Sequence, residues 1–239
     1  MTAKEKPKPR VILVTAASRG IGAACAHHLA AQGDRVALLA RSEEVEKMAT
    51  DLGGVGVRGS IDNLEDLERL VDSALALQGH IDGLVISTGH PPSGELLELN
   101  EQDWRTGLDL ILLAVTRLSK LVTPHMLRGG GGAIVNISAF GAIEPSLDFP
   151  VSSVMRAALG AYTRLYAEQY AKKGIRMNAL LPGFVDTYPE ETTRVNQIPM
   201  GRYATADEMA RVACFLVGPD SSYITGQSVR VDGGLTRSL

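Results

Sequence analysis

Short apolar runs and longer amphipathic stretches alternate along almost the whole chain. Val11 to Thr15, Arg35 to Leu39, Val55 to Arg58, Gly83 to Ser87, Ala133 to Ser138, Arg176 to Leu181 and Ser228 to Val231 are rich in Val, Ile and Leu and read as strands. Ile21 to Ala31, Leu64 to Leu77, Glu101 to Leu127, Ser152 to Lys173 and Ala206 to Val217 carry apolar residues at helical spacing. Thr205 and Glu208 are spaced as a capping box at the start of the last helix. Buried strands bracketed by helices predict a parallel sheet covered on both faces: a doubly wound, Rossmann-type α/β fold of about seven strands. The carboxyl ends of the strands then share one edge, and a ligand binds there at the reversal of strand order. The glycine tract Gly129 to Gly132 fits a turn into the strand that follows it.

Length and composition narrow this picture. A chain of 239 residues, 45% hydrophobic and 21% charged, suits one domain with a sizeable core. That domain is expected over residues 10–239, after a flexible basic tail over residues 1–9. A net charge of -3 gives no long-range attraction to nucleic acid or anionic membrane, and Lys4, Lys6, Lys8 and Arg10 form too short a run to change that. No signal-type segment is visible and apolar runs such as Leu108 to Val115 are too short to span a bilayer, so a cytoplasmic protein is expected. Cys25 and Cys214 lie on separate predicted helices and are expected as core thiols. His27 and His28 point in different directions on a helix, and His80, His90 and His125 show no ligand spacing, so no metal site is expected.

Candidate chemistry begins where the first strand runs into Thr15-Ala16-Ala17-Ser18-Arg19-Gly20-Ile21-Gly22 and a helix. Glycines there let the backbone approach a pyrophosphate, and the helix amino end supplies free N–H groups; plain tight packing is the alternative. The second strand ends in Arg41. An acidic residue at such a place selects NAD through the ribose hydroxyls, whereas arginine favours the 2′-phosphate of NADP. With Arg19 beside it, Arg41 favours NADP(H) over NAD(H), solvated surface arginines being the bland alternative.

Further runs complete a recognisable order: Leu181-Pro182-Gly183-Phe184-Val185-Asp186-Thr187, Ile198-Pro199-Met200-Gly201-Arg202-Tyr203, Ile224-Thr225-Gly226-Gln227 and Val231-Asp232-Gly233-Gly234. From about Pro9 to the end the chain resembles the short-chain dehydrogenase/reductase family. Against the family's Thr-Gly-x-x-x-Gly-x-Gly loop, Ala16 replaces the first glycine, a small departure. The resemblance implies cofactor contacts from Thr15, Ser18, Arg19, Gly20, Ile21, Arg41, Ser60, Ile61, Ser87, Gly89, Arg156, Pro182, Gly183, Val185 and Thr187. It also implies a small-molecule substrate and a homodimer or homotetramer built on the long helices.

The family's chemistry uses Asn, Ser, Tyr and Lys, with the tyrosine of Tyr-x-x-x-Lys as general acid or base. Here Arg156 takes the place of the lysine and Ser152 that of the tyrosine. Ala139 falls where the serine is expected, with Ser138 just before it, and Ile111 falls at the asparagine position. Ile86-Ser87-Thr88-Gly89 stands for Asn-Asn-Ala-Gly. No tyrosine in the chain is followed four residues later by lysine. Tyr162, Tyr166 and Tyr170 share one helical face, the pattern of packing or a subunit contact. The catalytic candidates are therefore Ser152, Arg156 and Ser138, at or beside the family's positions. Losing a positioned acid costs about 10² to 10⁴ in rate, and Glu144, Asp148, His90 and Tyr188 are the replacement acids in view.

The leading expectation is an NADP(H)-dependent oxidoreductase of altered proton chemistry acting on a small carbonyl or alcohol. A lyase, isomerase or cyclase on the same fold, or a silent cofactor-binding protein, are the alternatives.

Overall fold

The computed structural model describes residues 9–238, so most of the expected basic tail lies outside the described residues. Seven strands form one sheet, all pairs parallel, in the order β3-β2-β1-β4-β5-β6-β7. In chain order these are β1 (Val11–Thr15), β2 (Arg35–Ala40), β3 (Val55–Arg58), β4 (Gly83–Ile86), β5 (Gly132–Ile137), β6 (Ile175–Pro182) and β7 (Ser228–Val231). The helices are α1 (Gly20–Ala31), α2 (Glu44–Asp51), α3 (Leu64–Gln78), α4 (Glu101–Gly107), α5 (Ala114–Gly129), α6 (Pro150–Tyr170), α7 (Thr192–Val195) and α8 (Ala206–Val217). This is the expected doubly wound Rossmann-type sheet, and its order reverses between β1 and β4.

Strand β1 shows why the sequence demands cover on both sides. Val11 and Leu13 enter one core with Leu67 of α3, Leu118 of α5 and Leu159 of α6. Ile12 and Val14 enter the other with Leu29 of α1, Val45 of α2 and Met209 of α8. All four are fully buried. Each such side chain contributes about 1.5–3 kcal/mol against roughly 0–1 kcal/mol for an exposed ion pair, so the two cores carry the fold.

The predicted helix from Glu101 is divided. A π-type segment, Leu108–Leu113, joins α4 to α5, and it buries Ile111. The whole run Glu101–Gly129 is long and apolar enough to cross a membrane by length and composition, but Ala114, Val115, Leu118, Val122 and Met126 are buried in the core. Tyr166 is buried too and bonds Thr123 Oγ1 at 2.5 Å, with Tyr170 4.6 Å from it, so the tyrosine face is packing. Cys25 and Cys214 are free, buried thiols on α1 and α8, which pack together. The glycine tract makes its turn by necessity: a Cβ on Gly131, whose φ is 146°, would stand 2.6 Å from the Gly174 carbonyl oxygen.

Candidate active site

The site grows from the carboxyl ends of β1 and β4. Thr15 is buried, and its hydroxyl donates to the Ser87 carbonyl at 2.6 Å and accepts from the Ser87 N–H at 3.0 Å. Thr15 and Ser87 thus lock the two strand ends together beneath the crevice. Ala16 then turns with φ 49°, the left-handed region. Its replacement of a glycine is therefore not conformationally small, since an L side chain holds the backbone that glycine adopts freely. Gly22 has no substitute: a Cβ there would lie 2.4 Å from the Ala16 carbonyl oxygen.

Helix α1 begins after Arg19, which is extended and makes no side-chain cap, and no acidic residue stands in its first turn. Its amino-terminal N–H groups keep their partial positive charge for an outside anion. Gly20 and Ile21 line this turn, with Ser18 half-buried before it. Arg41 is exposed at the end of β2, and its carbonyl accepts from Arg58 Nε at 3.4 Å. Among the described residues neither Arg19 nor Arg41 is ion-paired with a carboxylate. After β3, the Ser60 N–H donates to Asp66 at 2.7 Å and Ile61 is buried against Leu67 and Leu70.

Across the crevice, the segment after β6 is held from behind. Pro182 pairs with Val231, the Gly183 N–H donates to the Val231 carbonyl at 3.1 Å, and a Cβ on Gly183 would meet Asp232 Cα at 2.9 Å. Val185 is buried and bridged to Ala204. Thr187 reaches back over the glycine turn, its Cγ2 3.0 Å from the place a Cβ on Gly20 would take. Folding has brought the two predicted cofactor segments together at Gly20 and Thr187, while a Cβ on Gly89 would meet Leu110 at 3.7 Å.

Arg156 projects from α6 and is 6% exposed. Its Nε donates to Ser152 Oγ at 3.0 Å, one Nη to the Ile137 carbonyl at 3.0 Å, and the other approaches Thr88 Oγ1 at 3.5 Å. None of these partners is a carboxylate, and burial lowers the guanidinium to about 10 from its ordinary value. Ser138 is buried at the end of β5, its N–H bonded to the Leu180 carbonyl at 2.8 Å. Ser138 and the Ser152–Arg156 pair therefore flank the same strand end, while Ala139, extended, offers no hydroxyl.

Two features escape sequence reasoning. His90 and Tyr188, separately in view as acids, are joined by a hydrogen bond between Nδ1 and the phenol, with ring centroids 4.6 Å apart. Ninety-eight residues separate them, so only the topology could pair them. Arg194 lies over Phe184 at 5.1 Å and over Phe149 at 5.6 Å and is ion-paired with Glu191 at 3.1 Å. Glu144 is withdrawn from the candidates for an acid: its carboxylate accepts the N–H groups of Arg237 at 2.7 Å and Ser238 at 2.5 Å. Those bonds hold it below the ordinary carboxylate range.

A glycine turn opening on an uncapped helix end, at the reversal of a parallel sheet, defines a dinucleotide-binding fold. The donor set fits a nicotinamide dinucleotide: free N–H groups for a pyrophosphate, two guanidinium groups without a carboxylate partner among the described residues, and a turn lined by Gly20 and Gly22. Residues 15–236 match the family described as "Enoyl-(Acyl carrier protein) reductase". The chain is 34% identical to "Dehydrogenase/reductase SDR family member 4" of Homo sapiens, over 100% of this chain and 92% of that protein. It is 31% identical to "3-oxoacyl-[acyl-carrier-protein] reductase FabG" of Thermotoga maritima, over 95% of this chain and 97% of that protein. Among solved structures it is similar to L-sorbose reductase from Gluconobacter frateurii complexed with NADPH and L-sorbose. That likeness has a TM-score of 0.91 and 26% identity, over 97% of this chain and 98% of that one. The TT0495 protein from Thermus thermophilus is similar at a TM-score of 0.86 and 37% identity, over 95% and 98%. The chain belongs to the short-chain dehydrogenase/reductase family, whose members use nicotinamide cofactors on small-molecule substrates and are typically oligomeric.

Proposed function

We propose that this protein is an NADP(H)-dependent carbonyl reductase or alcohol dehydrogenase in which the family's catalytic tyrosine and lysine are replaced by Ser152 and Arg156. The observation that carries the cofactor assignment is that Arg19, at the start of α1, and Arg41, just after β2, have no carboxylate partner among the described residues. Two guanidinium groups beside an acid-free helix end match a 2′-phosphate and a pyrophosphate better than a neutral ribose. The NADPH held by the similar L-sorbose reductase supports the same assignment.

In this reading the N–H groups at Gly20 and Ile21 would hold the pyrophosphate, with Ser18 beside them. Arg19 and Arg41 would hold the 2′-phosphate, with Ser60 and Ile61 toward the adenine end. Ser87 and Gly89 would form the floor, Arg156 would bind the nicotinamide ribose, and Pro182, Gly183, Val185 and Thr187 would orient the ring. A nicotinamide dinucleotide held there would supply or accept a hydride. The chain's own task is to place the substrate oxygen and move a proton to it. Ser138 and Ser152 offer hydroxyls that orient such an oxygen, but an aliphatic hydroxyl is a far weaker acid than a phenol. The family's phenol and its flanking serine and asparagine are absent from these positions, so proton transfer is altered here. We further propose that residues 10–239 work as one unit in the cytoplasm, as a homodimer or homotetramer. Val154 and Leu165, 52% and 65% exposed on α6, support assembly through that helix.

Titration of NADPH and NADH, followed by fluorescence, tests the assignment. NADPH is expected to bind at least about tenfold tighter, a difference of about 1.4 kcal/mol, and Arg41→Ala to abolish the preference. Equal affinity of the wild-type protein for both, or affinity for neither, would overturn it.

A further inference from the structure

The crevice contains one pair of side chains that the proposed reading leaves unused. His90 follows the β4 end and Tyr188 follows the segment after β6, and the two meet through the Nδ1–phenol hydrogen bond with rings tilted by 51°. Tyr188 is anchored from its own backbone, whose N–H donates to the Val185 carbonyl at 3.1 Å. At 37% exposure it is covered on one side and open on the other.

Three cations face this pair. Arg156 and Arg19 act on His90, and together with burial, the largest cause, they push the imidazole below its ordinary value and keep it neutral at pH 7. Burial, the largest cause, raises the Tyr188 phenol above its ordinary value, and Arg156 and Arg194 offset only part of that rise. Arg156 cannot drift, being tied to the Ile137 carbonyl, so its charge is fixed where a phenolate would need it. The neighbouring hydroxyls are poorer acids, and Glu144 is committed to the backbone of Arg237 and Ser238.

We propose that Tyr188, hydrogen-bonded to His90 and facing Arg156, is the proton donor to the substrate oxygen, with His90 as its relay to solvent. In the reducing direction the reduced nicotinamide supplies the electron pair as hydride to the carbonyl carbon. The Tyr188 O–H bond breaks and its proton passes to the carbonyl oxygen, giving the alcohol. The His90 Nδ1–H proton then restores the phenol, Nε2 takes a proton from water with hydroxide left to the solvent, and proton exchange with solvent returns the imidazole to its Nδ1–H form. Tyr188 is the catalytic residue and His90 a positioning and relay residue. The proposal rests on the reductase reading.

The test uses the intact protein, Tyr188→Phe and His90→Gln, with NADPH and the reactive dicarbonyls diacetyl and isatin. Tyr188→Phe keeps the ring and is expected to lower kcat by about 10²- to 10⁴-fold with KM and NADPH affinity nearly unchanged. His90→Gln is expected to lower kcat less and to remove the histidine inflection from the pH profile. Independently of turnover, the His90 ring proton, titrated by NMR, is expected to shift its midpoint in Tyr188→Phe and again on saturation with NADP⁺. Undiminished kcat in Tyr188→Phe, a wild-type protein that binds NADPH but reduces neither probe, or a His90 signal indifferent to both changes would overturn the relay. Absence of NADPH binding would instead sink the parent assignment and the relay with it. The fluorescence titration tells these failures apart.

Discussion

At the residue scale the turn after β1 holds a left-handed alanine. Ala16, at φ 49°, carries a Cβ in a region that costs an L-residue roughly 1–2 kcal/mol, and glycine's greater loss of chain freedom returns only part of that difference. Ala16→Gly is expected to stabilise the protein by about 1 kcal/mol, read as a raised urea midpoint at unchanged slope; a lowered midpoint would refute the strain. The sequence made the glycine replacement visible but not the backbone angle, because φ is set by the fixed ends of β1 and α1. The same divide runs through the site. Arg156 was in view at the position that the family resemblance gives to the lysine, whereas its burial beside Ile137 and Thr88, which lie at other strand ends, was not. His90 and Tyr188 were each in view, but their contact is a property of two loops that meet only in three dimensions.

At the element scale the capping box of α8 was readable from two letters. Thr205 Oγ1 accepts from the Glu208 N–H at 3.1 Å, and Glu208 returns to the Thr205 N–H at 2.9 Å. Arg202 first, and then the Thr205 N–H, hold the Glu208 carboxyl down to about 2. A carboxylate lowered on folding stabilises above its unfolded range, and that gain is lost as pH falls toward the folded value. Thr205→Ala should cost about 1 kcal/mol at neutral pH. Glu208→Gln should flatten the fall of the melting temperature as pH drops from the ordinary carboxylate range toward 2; a fall as steep as in the wild type would rule this out. Strands were legible to within a residue because β1, β2, β4, β5 and β6 are apolar on both faces and β7 alternates Val229 and Val231 with polar residues. Helix α2 was not, because Val45 and Ala49 are its only buried residues and Glu44, Glu46 and Lys47 hide the period. The π segment escaped for the opposite reason: five of its six residues, all but Asp109, are apolar, so an extra residue in the turn leaves no mark on the pattern.

At the scale of the whole molecule, one sheet is shared by two cores, so ligand energy gained at its carboxyl edge is expected to stabilise both. Strands β1, β4 and β5 contribute to each core, and the Thr15–Ser87 bonds tie β1 to β4 directly under the crevice. A parallel sheet covered on both faces was inferable from the alternation of elements, and a crevice at a reversal of strand order from that fold class, whereas the order itself and the closure of Thr187 over Gly20 were not, since the closure depends on how far the segment after β6 reaches. That closure couples the two walls: a dinucleotide between them would hold the glycine turn and the Val185–Thr187 segment against both cores at once. NADPH at about one hundred times its dissociation constant adds about 2.7 kcal/mol to the folded state, which for a chain of this length is a rise of roughly 5–10 °C in melting temperature. NADH at the same concentration, bound tenfold or more weakly, should give a smaller rise, and Arg41→Ala should bring the two together. A calorimetric scan that splits into two transitions, only one of them moved by NADPH, would mean that the crevice belongs to one core alone.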